Sequence, residues 1–192
     1  MTAARQMGCT RSAMRAYVTF LVCLIGLAGL NPVPVVAADA QLEQLPADWL
    51  DDSGQHFHLS SLRGHALVLT MAYASCHRVC PLTMERLQRL QHDYDSSGID
   101  AQFVIVGYDP ETDDPATWKQ YRRTRHLTRS NWHFLVGSRA AVEQTARQLG
   151  FEFWRYDQHV MHDARIVYFN EHGAVIEPGA AGSSQHSVPV SQ

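Results

Sequence analysis

Cysteine is scarce in this 192-residue chain, which has four, and two of them, Cys9 and Cys23, fall in an N-terminal segment that reads as a leader. A framework of several disulfides is thereby excluded. An excess of basic charge is lacking too, since 16 Lys and Arg face 19 Asp and Glu. That balance gives no electrostatic basis for binding nucleic acid. Internal repeats are absent, and the hydrophobic content of 45% suits one ordinary globular domain once the leader is set aside.

The first 37 positions contain no acidic residue, while Arg5, Arg11 and Arg15 precede the apolar run AYVTFLVCLIGLAGL from Ala16 to Leu30. Asn31, Pro32 and Pro34 break the run, and Val35 to Ala37 offers small or modest residues at the positions a signal peptidase reads. Residues 1 to 37 are therefore expected to be a secretion signal. An uncleaved membrane anchor is the competing reading, because the apolar stretch extended to Val36 approaches the ~20 residues a bilayer requires. Removing the segment leaves 13 basic against 19 acidic residues, a net charge of −6 with histidines neutral. Only Cys76 and Cys80 then remain. A bridge between them would close too small a loop to staple a fold, so chemistry is the better explanation of the pair.

Along the chain, a polar entry from Ala38 to Asp52 is followed by an alternating stretch, Gln55 to Leu59, that reads as a half-buried strand. Ala66 to Tyr73 is a nearly continuous apolar run, as in a central strand covered on both faces. Leu82 to Tyr94 carries Leu82, Leu87, Leu90 and Tyr94 at helical spacing, and Pro81 suits a first turn, which puts Cys80 at or near the N-cap. Gln102 to Tyr108 and Trp132 to Val136 read as further buried strands, and Pro115 to His126 and Ala140 to Leu149 as helices, the last ended by Gly150. Phe151 to Tyr156, Ala164 to Phe169 and Ala174 to Ile176 read as short strands, the last two joined as a hairpin through Asn170 to Gly173. The tail from 178 to 192 has almost nothing to bury and is expected to be disordered. Strands alternating with helices predict a three-layer α/β domain over 38–177 with a mixed central sheet.

The stretch YASCHRVCPLT places Cys76 and Cys80 where a central strand gives way to a helix, the place where α/β folds bind and react. One reading is a thioredoxin-like redox couple, although that motif has two intervening residues and this one has three. Another is a soft-metal site, since two thiolates four residues apart can face one side and favour Cu(I), with zinc also open. Two unrelated core cysteines are the bland alternative, for which a strand-to-helix junction is a poor place. A cysteine near a helix N-terminus has a depressed pKa, and the thiolate both attacks disulfides and ligates metals. This serves the first two readings equally.

An imidazole would complete a trigonal Cu(I) site. Of 11 histidines, His56, His58, His65, His92, His126, His133 and His186 fall on strand faces, helix surfaces or the tail, where a lone histidine is usually solvated. His77 lies inside the cysteine loop and is expected to point outward. His159 and His162 occupy an irregular stretch before an apolar strand, from which a loop can bring a ring over the cysteines. Periodicity alone does not choose between them.

The chain resembles the Sco/SenC proteins, named for synthesis of cytochrome c oxidase, over about Leu59 to Ile176. The resemblance is carried by SLRGHALVLTMAYASCHRVCPLTM, by YDPETDDPATWKQY from Tyr108, by WHFLVGSRAAVEQTARQLGF from Trp132, and by MHDARIVYFNEHG. It implies a thioredoxin-like fold facing the periplasm and copper, as Cu(I) or Cu(II), held by Cys76, Cys80 and one distal histidine. Counting back from Gly173 to the family's position puts that histidine at His162, with His159 the second choice. Asp109 matches an acidic position that orients or tunes the ligands. Two departures stand out: Asp163 follows the histidine where the family commonly has serine or threonine, and His-Arg-Val fills the cysteine loop where proline and acidic residues are common.

Two functions follow from the resemblance. The first is a copper metallochaperone that passes its metal to the cytochrome c oxidase subunit carrying the binuclear copper site. The second is a thiol-disulfide oxidoreductase that reduces target cysteines through Cys76 and Cys80 before metal arrives. Another copper donor or a thiol reductase would be a further partner, and the membrane would be met only through an N-terminal anchor. A thiol peroxidase on the same fold is weaker, because it leaves His162 without a role.

Overall fold

The computed structural model of the chain describes residues 41–74, 79–156 and 159–177. The expected leader, the expected disordered tail, Cys76 and His77 lie outside the described residues. Among the described residues, no helix is long and apolar enough to cross a membrane.

A seven-stranded mixed sheet forms the centre. Its parallel heart is β3 (Ala66–Ala72), β4 (Ala101–Gly107) and β5 (Trp132–Gly137), with β3 on one side of β4 and β5 on the other. β1 (Trp49–Asp51) and β2 (His56–Phe57) extend the β5 edge, and β8 (Ile166–Phe169) and β9 (Val175–Ile176) extend the β3 edge, all antiparallel. Helices α1 (Val79–Ser96), α2 (Pro115–Thr124) and α3 (Arg139–Leu149) flank the sheet, as expected for the three-layer α/β class. β6 (Phe153–Tyr156) and β7 (His159–His162) pair with each other in a separate two-stranded sheet.

Burial follows from the apolar runs. Val68, Leu69, Phe103, Val104, Ile105 and Phe134 are shut off from solvent, which is why β3, β4 and β5 read as continuous rather than alternating. Phe103 stacks on Trp132 with centroids 5.2 Å apart at 15°, joining β4 to β5 within the core.

Several local expectations change. The entry segment contains β1, whose single buried residue, Trp49, is 1% exposed and pairs opposite Gly137. One buried indole is enough to recruit a three-residue strand beside β5, and no alternation can advertise it. The strand expected over Gln55 to Leu59 shrinks to His56–Phe57, because Leu59–Leu62 turns into a 3-10 helix that buries Leu59 and Leu62. α2 stops at Thr124 rather than His126, and His126 takes a left-handed φ of 56° just beyond it. The strands expected from Phe151 and Ala164 begin at Phe153 and Ile166. Leu82 is 65% exposed, so the buried side of α1 is Thr83, Met84, Leu87, Gln91 and Tyr94 instead.

The register of β3 against β4 runs from Ala66↔Ala101 to Ala72↔Gly107. Both strands therefore end at the same level, and the Tyr108 N–H donates to the Ala72 carbonyl at 2.8 Å just past them. The chain toward Cys76 and the chain through Asp109 leave the sheet side by side.

Candidate metal and thiol site

Past Ala72, Ala74 is the last described residue before the cysteine loop. The chain resumes in α1, which begins at Val79, so Cys80 is the second residue of the helix rather than its cap. Pro81 follows in the same turn, where backbone N–H groups have no partner within the helix and a missing one costs little. The first turn is also the positive end of the dipole of an 18-residue helix, which favours a thiolate at Cys80. The side chain of Cys80 lies outside the described part of the structure.

His162 ends β7, where it pairs with Phe153 of β6. His159 and His162 are thus the two ends of a strand, not parts of an irregular stretch as expected. Cross-strand pairing with β6 orders a segment whose own sequence shows no strand period. The ring of Tyr108 meets both residues of the pair, Phe153 at 4.9 Å and His162 at 4.8 Å between centroids. This seats His162 over the point where the chain leaves β4. Its Nδ1 lies 2.6 Å from the Asp163 carbonyl oxygen. A carbonyl only accepts, so in the neutral ring Nδ1 carries the proton and Nε2 carries the lone pair that a metal would take.

Asp163, the departure from the family pattern, has several contacts here. Its N–H donates to the Glu152 carbonyl at 3.0 Å, and its Oδ1 accepts from the Tyr108 hydroxyl at 3.3 Å. Its Oδ2 lies 3.4 Å from the Glu152 amide nitrogen, which donates to it, and 3.7 Å from Arg165 Nε. The residue closes the base of the β6–β7 hairpin and ties it to Tyr108.

Asp109 is 2% exposed at the start of the loop after β4. Its carboxylate pairs with the guanidinium of Arg155 from β6 and accepts from the Thr112 hydroxyl at 2.9 Å. Arg155 also lies 3.8 Å from Glu111, which pairs in turn with Arg139 of α3. Asp113 is wholly buried beside it and accepts from the amides of Ala74 at 2.9 Å and Asp109 at 3.1 Å. Burial pushes the Asp113 carboxyl from its ordinary 3.8 up to about 7, and the neighbouring charge of Asp109 pushes the same way, against those two hydrogen bonds.

The structure thus brings His162, Tyr108, Asp109 and Asp113 to the C-terminal end of β3 and β4, where Cys80 enters α1. Among the described residues, no three His, Cys, Asp or Glu side chains form a metal-sized cluster. Sequence reasoning missed Tyr108, Arg155 and Asp113. Tyr108 stands next to Asp109 in a segment already singled out, but nothing local says that its ring supports a histidine 54 positions later. Asp113 and Asp114 look alike in sequence, yet Asp114 is an exposed N-cap accepting from the Thr117 amide at 2.6 Å, while Asp113 is interior.

The sequence profile of the SCO1/SenC family matches residues 37–188. The chain is similar to the SCO1 protein homolog of Bacillus subtilis (strain 168), with 28% identity over 102 residues, 53% of each chain. It thus spans about half the length of that relative. Among solved structures, Arabidopsis thaliana ScoI with copper bound superposes with a TM-score of 0.62 at 20% identity, covering 69% of this chain and 83% of that one. BsSco, reported with a disulfide switch and as a member of the Sco family of cytochrome c oxidase assembly proteins, superposes with a TM-score of 0.63 at 23% identity, covering 72% and 82%. These likenesses extend the thioredoxin-like fold to the arrangement described above. The matched residues include the cysteine pair, the Asp109 loop and the histidine hairpin, and the chain belongs to the SCO1/SenC family.

Proposed function

We propose that this chain is a copper metallochaperone of the periplasm, binding one copper ion through Cys76, Cys80 and His162 and passing it to the binuclear copper centre of cytochrome c oxidase. The single observation that carries the ligand choice is the seat of His162. The Asp163 carbonyl leaves the lone pair on Nε2, and the ring rests on Tyr108, just past β4 and hydrogen-bonded to the end of β3, the strand that leads to the cysteines. Two thiolates and one imidazole are a soft donor set that suits Cu(I). Release would proceed by exchange of these ligands for cysteines of the acceptor subunit. Export rests on the basic and apolar N-terminal segment, with an uncleaved anchor as the form that would keep the domain at the membrane.

A thiol-disulfide oxidoreductase reading is favoured by the place of Cys80 in the first turn of α1. One thiolate would attack a target disulfide, and the second would displace it. The target would leave as two thiols and the Cys76–Cys80 pair as a disulfide, to be reduced again by a partner thiol reductase.

The test is His162→Ala in the purified, reduced domain. Copper affinity should fall far more than the rate of disulfide exchange with a model disulfide. Unchanged copper affinity in that variant, together with loss of reductase activity in Cys76→Ala, would overturn the chaperone reading with this ligand set. Damage from His159→Ala instead would move the third ligand to the other end of β7.

A further inference from the structure

Asp113 has no part in either reading so far, yet it is fully buried and both of its carboxylate oxygens are engaged. The β3–β4 ladder ends at Ala72↔Gly107, which leaves the Ala74 N–H beyond the reach of any strand partner. Asp113 Oδ1 takes that N–H at 2.9 Å, and Oδ2 takes the N–H of Asp109 at 3.1 Å. The Asp113 N–H donates back to the Asp109 carbonyl at 2.7 Å, so the Asp109–Asp113 turn is closed on itself. Room for this carboxylate depends on Gly107. A Cβ there would stand 3.1 Å from Asp113 Cβ, 3.2 Å from Oδ2 and 3.1 Å from Trp118 Nε1.

We propose that Asp113 is a positioning residue of the copper and thiol site, its carboxylate clamping Ala74 to Asp109 so that the chain leaves β3 toward Cys76 in one fixed direction. The inference rests on the reading that the cysteine pair is the reactive site. A carboxylate is required because two N–H donors converge on it from two segments. The amide of asparagine offers one acceptor oxygen and would turn an NH2 group against the other donor.

The experiment compares Asp113→Asn with Gly137→Ala, a substitution at the C-terminal end of β5 that crowds Trp49 of β1, on the side of β5 turned away from β3 and β4. Two quantities are read on the reduced domain: Cu(I) affinity by competition with a chromogenic chelator, and the alkylation rate of the cysteines by iodoacetamide without metal. Asp113→Asn should weaken Cu(I) binding by about tenfold or more, as loss of a residue supporting metal ligands typically does, and should change the alkylation rate. Gly137→Ala should leave both within about twofold, as expected where the crowded residue, Trp49, shares no partner with Asp113, even where it lowers the melting temperature as much. Equal losses in the two variants, or none in Asp113→Asn, would overturn the proposal. If the unaltered domain takes no copper, the chaperone reading fails while the alkylation rates still decide the role of Asp113. Should Asp113→Asn not fold, amide hydrogen exchange of the unaltered domain decides: slow exchange at Ala74 supports the clamp, and exchange at the rate of an unbonded loop amide overturns it.

Discussion

The rings of His162 and Tyr108 lie 4.8 Å apart at an interplanar angle of 34°, and one residue, Asp163, engages both through its backbone oxygen and its carboxylate. Shape and hydrogen bonding at this contact can be separated. Tyr108→Phe keeps the ring and loses the hydroxyl with its 3.3 Å contact to Asp163, whereas Tyr108→Leu removes the planar seat. Copper affinity should hold to within about twofold in the first and fall by about tenfold in the second. A titration in which the phenylalanine variant is as impaired as the leucine variant would assign the effect to the hydroxyl instead.

Among the described residues, Arg155 is the one charged side chain of the hairpin that meets a buried carboxylate, that of Asp109. Removing it as Arg155→Ala leaves Asp109 interior with, among the described residues, the Thr112 hydroxyl alone on its carboxylate. Because Arg155 is partly solvent-exposed, the expected loss is smaller than for a deep pair, about 1–2 kcal/mol of folding stability by urea denaturation. Amide exchange in β6 and β7 should quicken more than in β3 or β4. Uniform quickening across the sheet would show that the pair supports the whole domain and not the hairpin.

At the opposite edge, a Cβ on Gly137 would stand 2.5 Å from Trp49 Cζ3 and 2.7 Å from Cε3. The indole is buried and cannot swing away, so Gly137→Ala should cost about 1–3 kcal/mol, the usual range for overpacking. Calorimetry should show the loss in Gly137→Ala, and the further loss on adding Gly137→Ala to a Trp49→Leu background should be much smaller than in the unaltered domain.

His133 supplies a pH dependence remote from the proposed copper site. Burial, and then the Arg122 charge, hold its imidazole below the ordinary 6.5, against the pull of Asp51 and Asp52. The unfolded chain therefore takes up a proton at a higher pH than the folded one, and this residue's contribution makes stability fall as pH drops below about 6.5. The His133 ring packs tilted against Phe57, with centroids 4.8 Å apart at 40°, and its Nε2 meets Gln102 Oε1 at 3.0 Å. In His133→Gln, the melting temperature should fall less steeply between pH 7 and pH 5, whatever its value at pH 7. Parallel curves for the two proteins would remove this histidine from the account.

The central sheet was legible because Ala66 to Ala72, Ala101 to Gly107 and Trp132 to Gly137 are apolar at nearly every position, which only strands covered on both faces require. Helix ends were legible where a residue has one structural use, as Pro115 and Gly150 do. The edges were not. β1 depends on the burial of a single tryptophan, and β7 on cross-strand pairing with β6. The site divides in the same way. Cysteines and histidines declare their chemistry by type, and the family pattern chose among them. Tyr108, Arg155 and Asp113 act through contacts with residues 39 to 54 positions away in the chain, and no local pattern encodes such a distance.

The hairpin alternates, with Phe153 and Arg155 turned to Tyr108 and Asp109, and Trp154 standing 56% exposed opposite Met161 on the other face. The three remaining tryptophans, Trp49, Trp118 and Trp132, are all buried. The domain therefore carries two optically distinct populations of indole. Emission at short wavelength, shielded from acrylamide, reports on the core. Red-shifted emission that acrylamide quenches comes from Trp154, one cross-strand step from the histidine end of β7, and gives the hairpin a fluorophore of its own without any label.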